Sequence, residues 1–173
     1  MTLSVQSDRR RFLAAAAGLS AMAATGACQS PVAQPDTLTG TWRLRAANRQ
    51  LPDGRVELDY GETPGGLLIV DAEGRYSLQI FAQTRNNFAS HDKAGGTCEE
   101  MREAMIGTST HFGQLTIDRE ASTLTFRIEE ASFPNWRGAV QVRAFELAGD
   151  VLTYRVPPRA DGSVPISVWQ RIR

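Results

Sequence analysis

The sequence predicts an all-β fold, an eight-stranded antiparallel up-and-down β-barrel with one amphipathic helix inserted after the third strand. From Thr41 onward apolar and polar residues alternate with period two, and turn residues interrupt the pattern at short intervals. The stretches Leu38–Leu44 and Val168–Arg173 read as first and last strands that can pair. A sandwich could bury the same apolar face, but only closure into a barrel removes the exposed edge strands.

Length and composition limit the classes of function. The 173 residues suffice for one domain with a core, and the 19 basic and 19 acidic residues give no net charge. A balanced charge gives no indication of a nucleic-acid partner. No apolar run reaches the roughly 18–20 residues of a spanning helix, and two cysteines make no disulfide framework.

The N-terminal residues have the layout of an export signal. Ser7–Leu13 holds paired arginines followed by Phe-Leu, as in twin-arginine signals, and a mild apolar segment runs from Phe12 to Ala24. We therefore expect residues 1–27 to be a signal peptide and the protein to reach the periplasm or cell envelope. The alternative is an amphipathic or disordered N-terminal tail.

Cys28 lies where a bacterial lipobox places its acylated cysteine, after the small residues Gly26 and Ala27, although Thr25 replaces the usual Leu. We expect lipidation of Cys28, which would anchor the protein to a membrane. Cleavage nearby would instead leave a plain thiol or remove it. Residues 28–37, which include two prolines, are expected to form a tether, and residues 38–173 the barrel.

Eight segments carry the strand pattern. After the first, Pro52-Asp53-Gly54 predicts a turn, because Pro fixes φ and Gly accepts positive φ. Val56–Tyr60 then alternates as a flap or strand extension. The predicted barrel strands are Thr41–Arg49, Leu67–Val70, Tyr76–Phe81, Gly113–Asp118, Thr123–Glu130, Gly138–Leu147, Val151–Val156 and Val164–Ile172.

A helix is predicted after the third of these strands. Residues 83–96 are polar and read as a long loop, and Thr97–Glu100 has the sequence of a capping box. Met101, Met105 and Phe112 share one face over Glu99–Phe112, which predicts an amphipathic helix packed on an apolar surface.

Several motifs carry a family resemblance. Gly40-Thr41-Trp42 is similar to the Gly-x-Trp opening of lipocalins. Phe133–Gly138, followed by Gln141–Asp150, resembles the bacterial lipocalin-like domain family, and Gly66–Ile69 and Val168-Trp169 fit that family too. The resemblance covers essentially the whole predicted domain and implies a calycin-type barrel.

The resemblance also implies a role for one arginine. In lipocalins an Arg near the last strand covers the opening Trp at the closed end, and Arg171 is the candidate to cover Trp42, with Arg173 as second choice. Such a cation–π contact contributes about 0.5–2 kcal/mol. The chain lacks a Thr-Asp-Tyr motif and a C-terminal helix, so the resemblance implies the barrel and not the transport role of secreted animal lipocalins.

Arg143 is the main candidate binding residue. It shares strand parity with Phe145 and Leu147, so it faces the barrel interior if they do. A charge there needs a partner. Arg143 and Gln141 could orient a carboxylate or other acceptor group of an apolar ligand. Alternatively, Arg143 pairs with Glu129 or Glu130, or reaches water at the barrel mouth.

Aromatic residues supply a candidate cavity wall. Small-molecule pockets combine such walls with a few polar atoms, although each residue could equally be ordinary core. The candidates are Tyr76, Phe126, Trp136 and Tyr154.

The evidence for catalysis is weaker. Cys98 at a helix start could be a nucleophile with His91 or His111 as base, yet no local motif connects them. A metal site built from these three residues and Asp92 matches no usual ligand spacing. Glu129-Glu130 project to opposite faces of a strand. We therefore assign no catalytic residue, metal or cofactor.

Together these observations predict an exported lipocalin-like protein that binds a small apolar or amphipathic molecule in its barrel. Two alternatives remain: an envelope enzyme, such as an isomerase, cyclase or hydrolase using the same cavity, and a structural barrel filled with side chains.

Overall fold

The computed structural model describes residues 38–172. The predicted signal peptide, the tether with Cys28, and Arg173 lie outside this range. Helix α1 spans Cys98–Ile106, and a single 3₁₀ turn spans Pro134–Trp136. The strands are β1 Gly40–Gln50, β2 Val56–Leu58, β3 Gly65–Val70, β4 Arg75–Phe81, β5 Thr108–Asp118, β6 Thr123–Ala131, β7 Val140–Ala148, β8 Val151–Arg155 and β9 Val164–Ile172.

The sheet closes into a barrel through its first and last strands. From β3 to β9 every strand pairs antiparallel with its sequence neighbour, and β1 pairs with both β3 and β9. The β1–β9 register runs from Thr41 opposite Ile172 to Gln50 opposite Val164. Strand β2 pairs only with the last residues of β1, so it extends the sheet beside an eight-stranded barrel. The predicted fold class is confirmed.

Alternating residues fill the barrel interior. Strand β6 shows the pattern most clearly, because Leu124, Phe126 and Ile128 are buried while Arg127 and Glu129 are exposed. Hydrophobic burial of this kind stabilises the barrel by about 25 cal/mol per Å² of apolar surface. The other large, fully buried side chains are Trp42, Leu68, Leu78, Leu152, Tyr154 and Trp169.

The end of the barrel where β1 begins is closed by Trp42 and Arg171. The indole Nε1 of Trp42 donates to the carbonyl of Leu38 at 2.9 Å. The guanidinium of Arg171 lies 4.1 Å from the centroid of the Trp42 ring. Its Nη1 donates to the carbonyl of Thr39 at 2.6 Å, and its Nε lies 3.5 Å from the Asp150 carboxylate. The contact expected between Arg171 and Trp42 is therefore present.

The helix is shorter than predicted. Thr97 caps it as expected: its side chain accepts from the Glu100 N–H at 3.2 Å, and the Glu100 carboxylate accepts from the Thr97 N–H at 2.7 Å. However, α1 ends at Ile106, and residues 108–112 belong to β5, where they pair with β4. The predicted extension to Phe112 was wrong, because pairing with a neighbouring strand overrides weak helical periodicity.

The predicted packing of the helix was also wrong. Helix α1 buries none of its residues. Met101 and Met105 are 38% and 39% exposed, and Phe112 lies on the outer face of β5. Thus the three side chains do not form one buried face.

Candidate functional site

A cavity of about 330 Å³ lies at the end of the barrel opposite Trp42. Its lining includes Asn48 near the end of β1 and Ile166 near the start of β9, and these two residues are paired in the sheet. This volume falls within the range of small-molecule pockets. It equals the volume that about eleven water molecules occupy in the liquid. Its apolar and aromatic wall consists of Ala47, Leu78, Ile80, Trp136, Tyr154, Val156, Pro157, Pro158, Pro165 and Ile166.

Arg143 supplies the charge on this wall. It lies on β7 and faces inward, with only 3% of its surface exposed. Its Nη2 donates to Gln141 Oε1 at 2.7 Å and contacts His111 Nε2 at 3.2 Å. The guanidinium also lies over the rings of Phe126 and Tyr154, 4.1 and 5.0 Å from their centroids. Burial lowers the pKa of Arg143.

The alternative partners considered for Arg143 are elsewhere. Glu130 forms an ion pair with Arg137, and Glu129 is exposed. Within residues 38–172 no carboxylate forms an ion pair with Arg143. The expectation of a salt bridge to Glu129 or Glu130 was wrong, because those side chains lie outside the barrel or at its rim. Arg143 is thus a buried cation held by neutral groups.

His111 connects Arg143 to Tyr76. A guanidinium only donates, so Nε2 of His111 must accept from Arg143. The other ring nitrogen, Nδ1, therefore carries the proton and donates to the Tyr76 hydroxyl oxygen at 2.7 Å. Burial and, to a smaller extent, the nearby charge of Arg143 lower the pKa of His111 to about 3. His111 is neutral at physiological pH.

The structure divides the predicted lining residues into two groups. Arg143, Gln141, Trp136 and Tyr154 line the cavity, whereas Tyr76 and Phe126 do not. For these two, assignment to the cavity wall was wrong. Both face inward as predicted, but strand register places Tyr76 toward the closed end, where side chains fill the interior, and the Arg143 guanidinium lies over the ring of Phe126.

Register explains this division along β4. Tyr76 stands opposite Val70 and Gly113, near the closed end. The cavity residue Ile80 lies four positions further along β4. Tyr76 and Phe126 pack edge to face with a centroid distance of 5.0 Å. They form the floor that supports His111 and Arg143, and they do not contact the cavity.

An ion pair spans the mouth of the cavity. Asp59, which follows β2, accepts two hydrogen bonds from Arg159 in the β8–β9 connection, at 2.5 and 3.1 Å. Arg49 lies 3.9 Å from the same carboxylate. Next to it, burial raises the pKa of the Tyr60 phenol, and the charge of Asp59 raises it further. These contacts tie two connections together beside the opening.

Several cavity residues could not be predicted from the sequence. The predicted helix over Glu99–Phe112 includes His111, which in the structure faces inward on β5. In β1 a bulge between Leu44 and Ala46 shifts the alternation, so that Ala47 faces the cavity. Tyr60 and Ser109 also line the cavity. The polar type of His111, Tyr60 and Ser109 inside an apolar barrel is the one signal in the sequence.

The other candidate chemical groups are not assembled. Cys98 and His91 are exposed, whereas His111 is buried in the barrel. Within residues 38–172 no three His, Cys, Asp or Glu side chains are placed to hold a metal ion. In the same part of the chain no helix is long and apolar enough to cross a bilayer.

Comparison with known proteins gives a curated relative. It is the 4'-hydroxy-3'-methoxypropiophenone carrier protein ppsC of Aspergillus oryzae, 29% identical over 82 residues, which are 44% of this chain and 74% of the relative.

Two solved structures are similar at low identity. A lipocalin-like protein from Bacteroides uniformis has a TM-score of 0.41 and 16% identity, over 78% of this chain and 98% of that one. An uncharacterized protein from Bacteroides eggerthii has a TM-score of 0.37 and 14% identity, over 78% and 98%. The family model of the lipocalin-like domain matches residues 39–172. The chain therefore belongs to the lipocalin-like domain family.

Proposed function

We propose that this protein is a carrier that binds one small, mainly apolar molecule inside its barrel. The observation that carries the proposal is the 330 Å³ cavity, whose apolar and aromatic wall surrounds a single buried arginine. Such a combination fixes the orientation of a ligand while its body displaces water. A barrel filled with side chains would leave no such space, so the cavity speaks against a purely structural role.

An aromatic ligand fits the wall best. Trp136 lies edge to face with His111 at 5.9 Å, and Tyr154 stacks with Trp169 at 6.4 Å. Aromatic side chains pack well against a further ring in these geometries. The similarity to a fungal carrier of an aryl ketone supports the same class of ligand for this chain.

The geometry favours binding over acid–base catalysis. An enzyme of the isomerase, cyclase or hydrolase type needs a base that can take a proton from its substrate. His111 lies beside the cavity with a pKa lowered to about 3, but both ring nitrogens are engaged, one with Tyr76 and one with Arg143. Its arrangement suits the positioning of Arg143 and leaves no free lone pair.

Binding can be tested with the aryl ketone named for the fungal relative. Titration of the purified protein with 4'-hydroxy-3'-methoxypropiophenone, followed by Trp fluorescence, should show saturable binding. Ser109→Phe fills the cavity from β5 and should abolish it. Thr110→Phe, one residue along and on the outer face, should bind like wild type. Equal binding by the two variants contradicts a site inside the barrel.

For location, we propose export and membrane anchoring through Cys28. The support is the paired arginines Arg9 and Arg10, the apolar segment after them, and the small residues before Cys28. Replacement of both arginines by lysine should trap the precursor in the cytoplasm. Cys28→Ser should leave export intact but remove the lipid mass from the mature N-terminus. An unprocessed wild-type chain in the cytoplasm contradicts this proposal.

A further inference from the structure

The charge of Arg143 is not compensated by the protein. Its hydrogen-bond partners, Gln141 and His111, are neutral groups. Its Nε has no hydrogen-bond partner in the described part of the chain, although the atom is fully buried. Buried cations in proteins are almost always paired with an anion. Arg143 therefore lacks the one partner that its position requires.

The groups around Arg143 present donors to the cavity. The Gln141 oxygen is occupied by Arg143, which leaves its amide N–H₂ facing other partners. Nε2 of His111 accepts from Arg143, so it is no acceptor for a ligand. A ligand atom at this pole must accept hydrogen bonds, and a carboxylate matches the planar guanidinium in charge and shape.

From this position we propose that the ligand is an aromatic carboxylic acid of the aryl-alkanoate type. This rests on the binding function proposed above. The carboxylate neutralises Arg143 and accepts from Gln141, and the ring packs beside Trp136 and Tyr154. The cavity volume of about 330 Å³ accommodates a ligand of this size.

The test compares matched ligands on the purified protein by calorimetry. The probes are 3-(4-hydroxyphenyl)propanoic acid and its methyl ester. The acid should bind at least about 30-fold more tightly than the ester, as expected for a charge-assisted pair in a buried site.

One variant locates the contact. Arg143→Met should remove the preference for the acid over the ester. The comparison of acid and ester on the wild-type protein tests the proposal even if the variant fails to fold.

The outcomes separate this inference from the proposed function. Equal affinity of acid and ester for wild type, or an acid preference that persists in a folded Arg143→Met, overturns the anion site while cavity binding stands. If neither the acid, the ester nor the aryl ketone binds, the proposed carrier function itself is contradicted, and the ligand class falls with it.

Discussion

Two arginines, one at the closed end of the barrel and one beside the cavity, each lie over an aromatic ring, but they have different partners. At the closed end Arg171 lies 4.1 Å from the Trp42 ring, donates to a backbone carbonyl and approaches the Asp150 carboxylate. In the interior Arg143 lies 4.1 Å from the Phe126 ring and contacts only neutral hydrogen-bond partners. Both arginines lie at the same distance from a ring, but only Arg171 has a carboxylate near its charge.

The difference separates a structural role from a binding role. Arg171 has its electrostatic partners within the folded chain, so folding gains from its presence. Arg143 bears a desolvation penalty that the fold does not offset with an anion. A group of this kind at a cavity wall stabilises a complex more than it stabilises the empty barrel. Opposite responses to mutation are therefore expected for the two arginines.

The largest expected effect on stability is at the closed end. Arg171→Met should lower the free energy of unfolding by about 2–4 kcal/mol, because it removes a cation–π contact and a largely buried ion pair. Arg143→Met should change it by less than about 1 kcal/mol or raise it, since an uncompensated buried charge is removed. Urea denaturation of both variants measures this. A larger loss in Arg143→Met than in Arg171→Met would contradict the assignment.

His111 should make stability depend on pH. Its folded pKa of about 3 lies below the ordinary value of 6.5, so the unfolded chain binds the additional proton between these values. Stability is therefore fully present above about pH 6.5 and falls toward pH 3, by at most about 1.4 kcal/mol per pH unit.

The variant His111→Phe isolates this effect, because the carboxylates titrate alike in both proteins. Its free energy of unfolding should fall less steeply than that of wild type between pH 6 and 4. The measurement is urea denaturation at several pH values. Parallel pH profiles for the two proteins would show that His111 is not buried in the neutral form.

A smaller effect is expected from the glycine that precedes Trp42. Gly40 has φ of +129°, and a Cβ there would lie 3.1 Å from Arg171 Nη1. Gly40→Ala should lower the free energy of unfolding by about 1–2 kcal/mol. In the control, Gly65→Ala, the added methyl has open space at a negative φ, and stability should change by less than about 0.5 kcal/mol. Thermal denaturation compares the two.

The smallest effect is expected on the exposed helix. Met101→Gln and Met105→Gln should each change the free energy of unfolding by less than about 0.5 kcal/mol, since neither side chain is buried. Urea denaturation of the double variant measures it. A loss above 1 kcal/mol would mean that α1 packs against the barrel after all.

Most of the fold could be predicted from the sequence, because period-two alternation is a local signal. The strands, the capping box at Thr97 and the closure by the first and last strands follow from it. The end of α1 did not, since residues 108–112 are held in β5 by pairing with β4. Such pairing depends on residues distant in sequence, which local periodicity does not report.

The site could be predicted where the alternation of side chains along a strand is enough to decide which residues face inward. Arg143 and Gln141 face the cavity because they share a strand face with apolar residues. Tyr76 also faces inward, but its depth along the barrel depends on register. The inward position of Ala47 follows a β-bulge, and a bulge leaves no clear mark in one sequence. The sequence therefore does not predict how deep a side chain lies in the barrel or where a strand carries a bulge.

The central claim is that the barrel holds a small molecule, and native mass spectrometry of the protein purified from its own host tests it most directly. We expect an added mass that is lost on denaturation and belongs to a small aromatic compound. The same protein carrying Ser109→Phe should show no such mass. An empty wild-type barrel that also fails to bind the aryl ketone and the aromatic acid would contradict the claim.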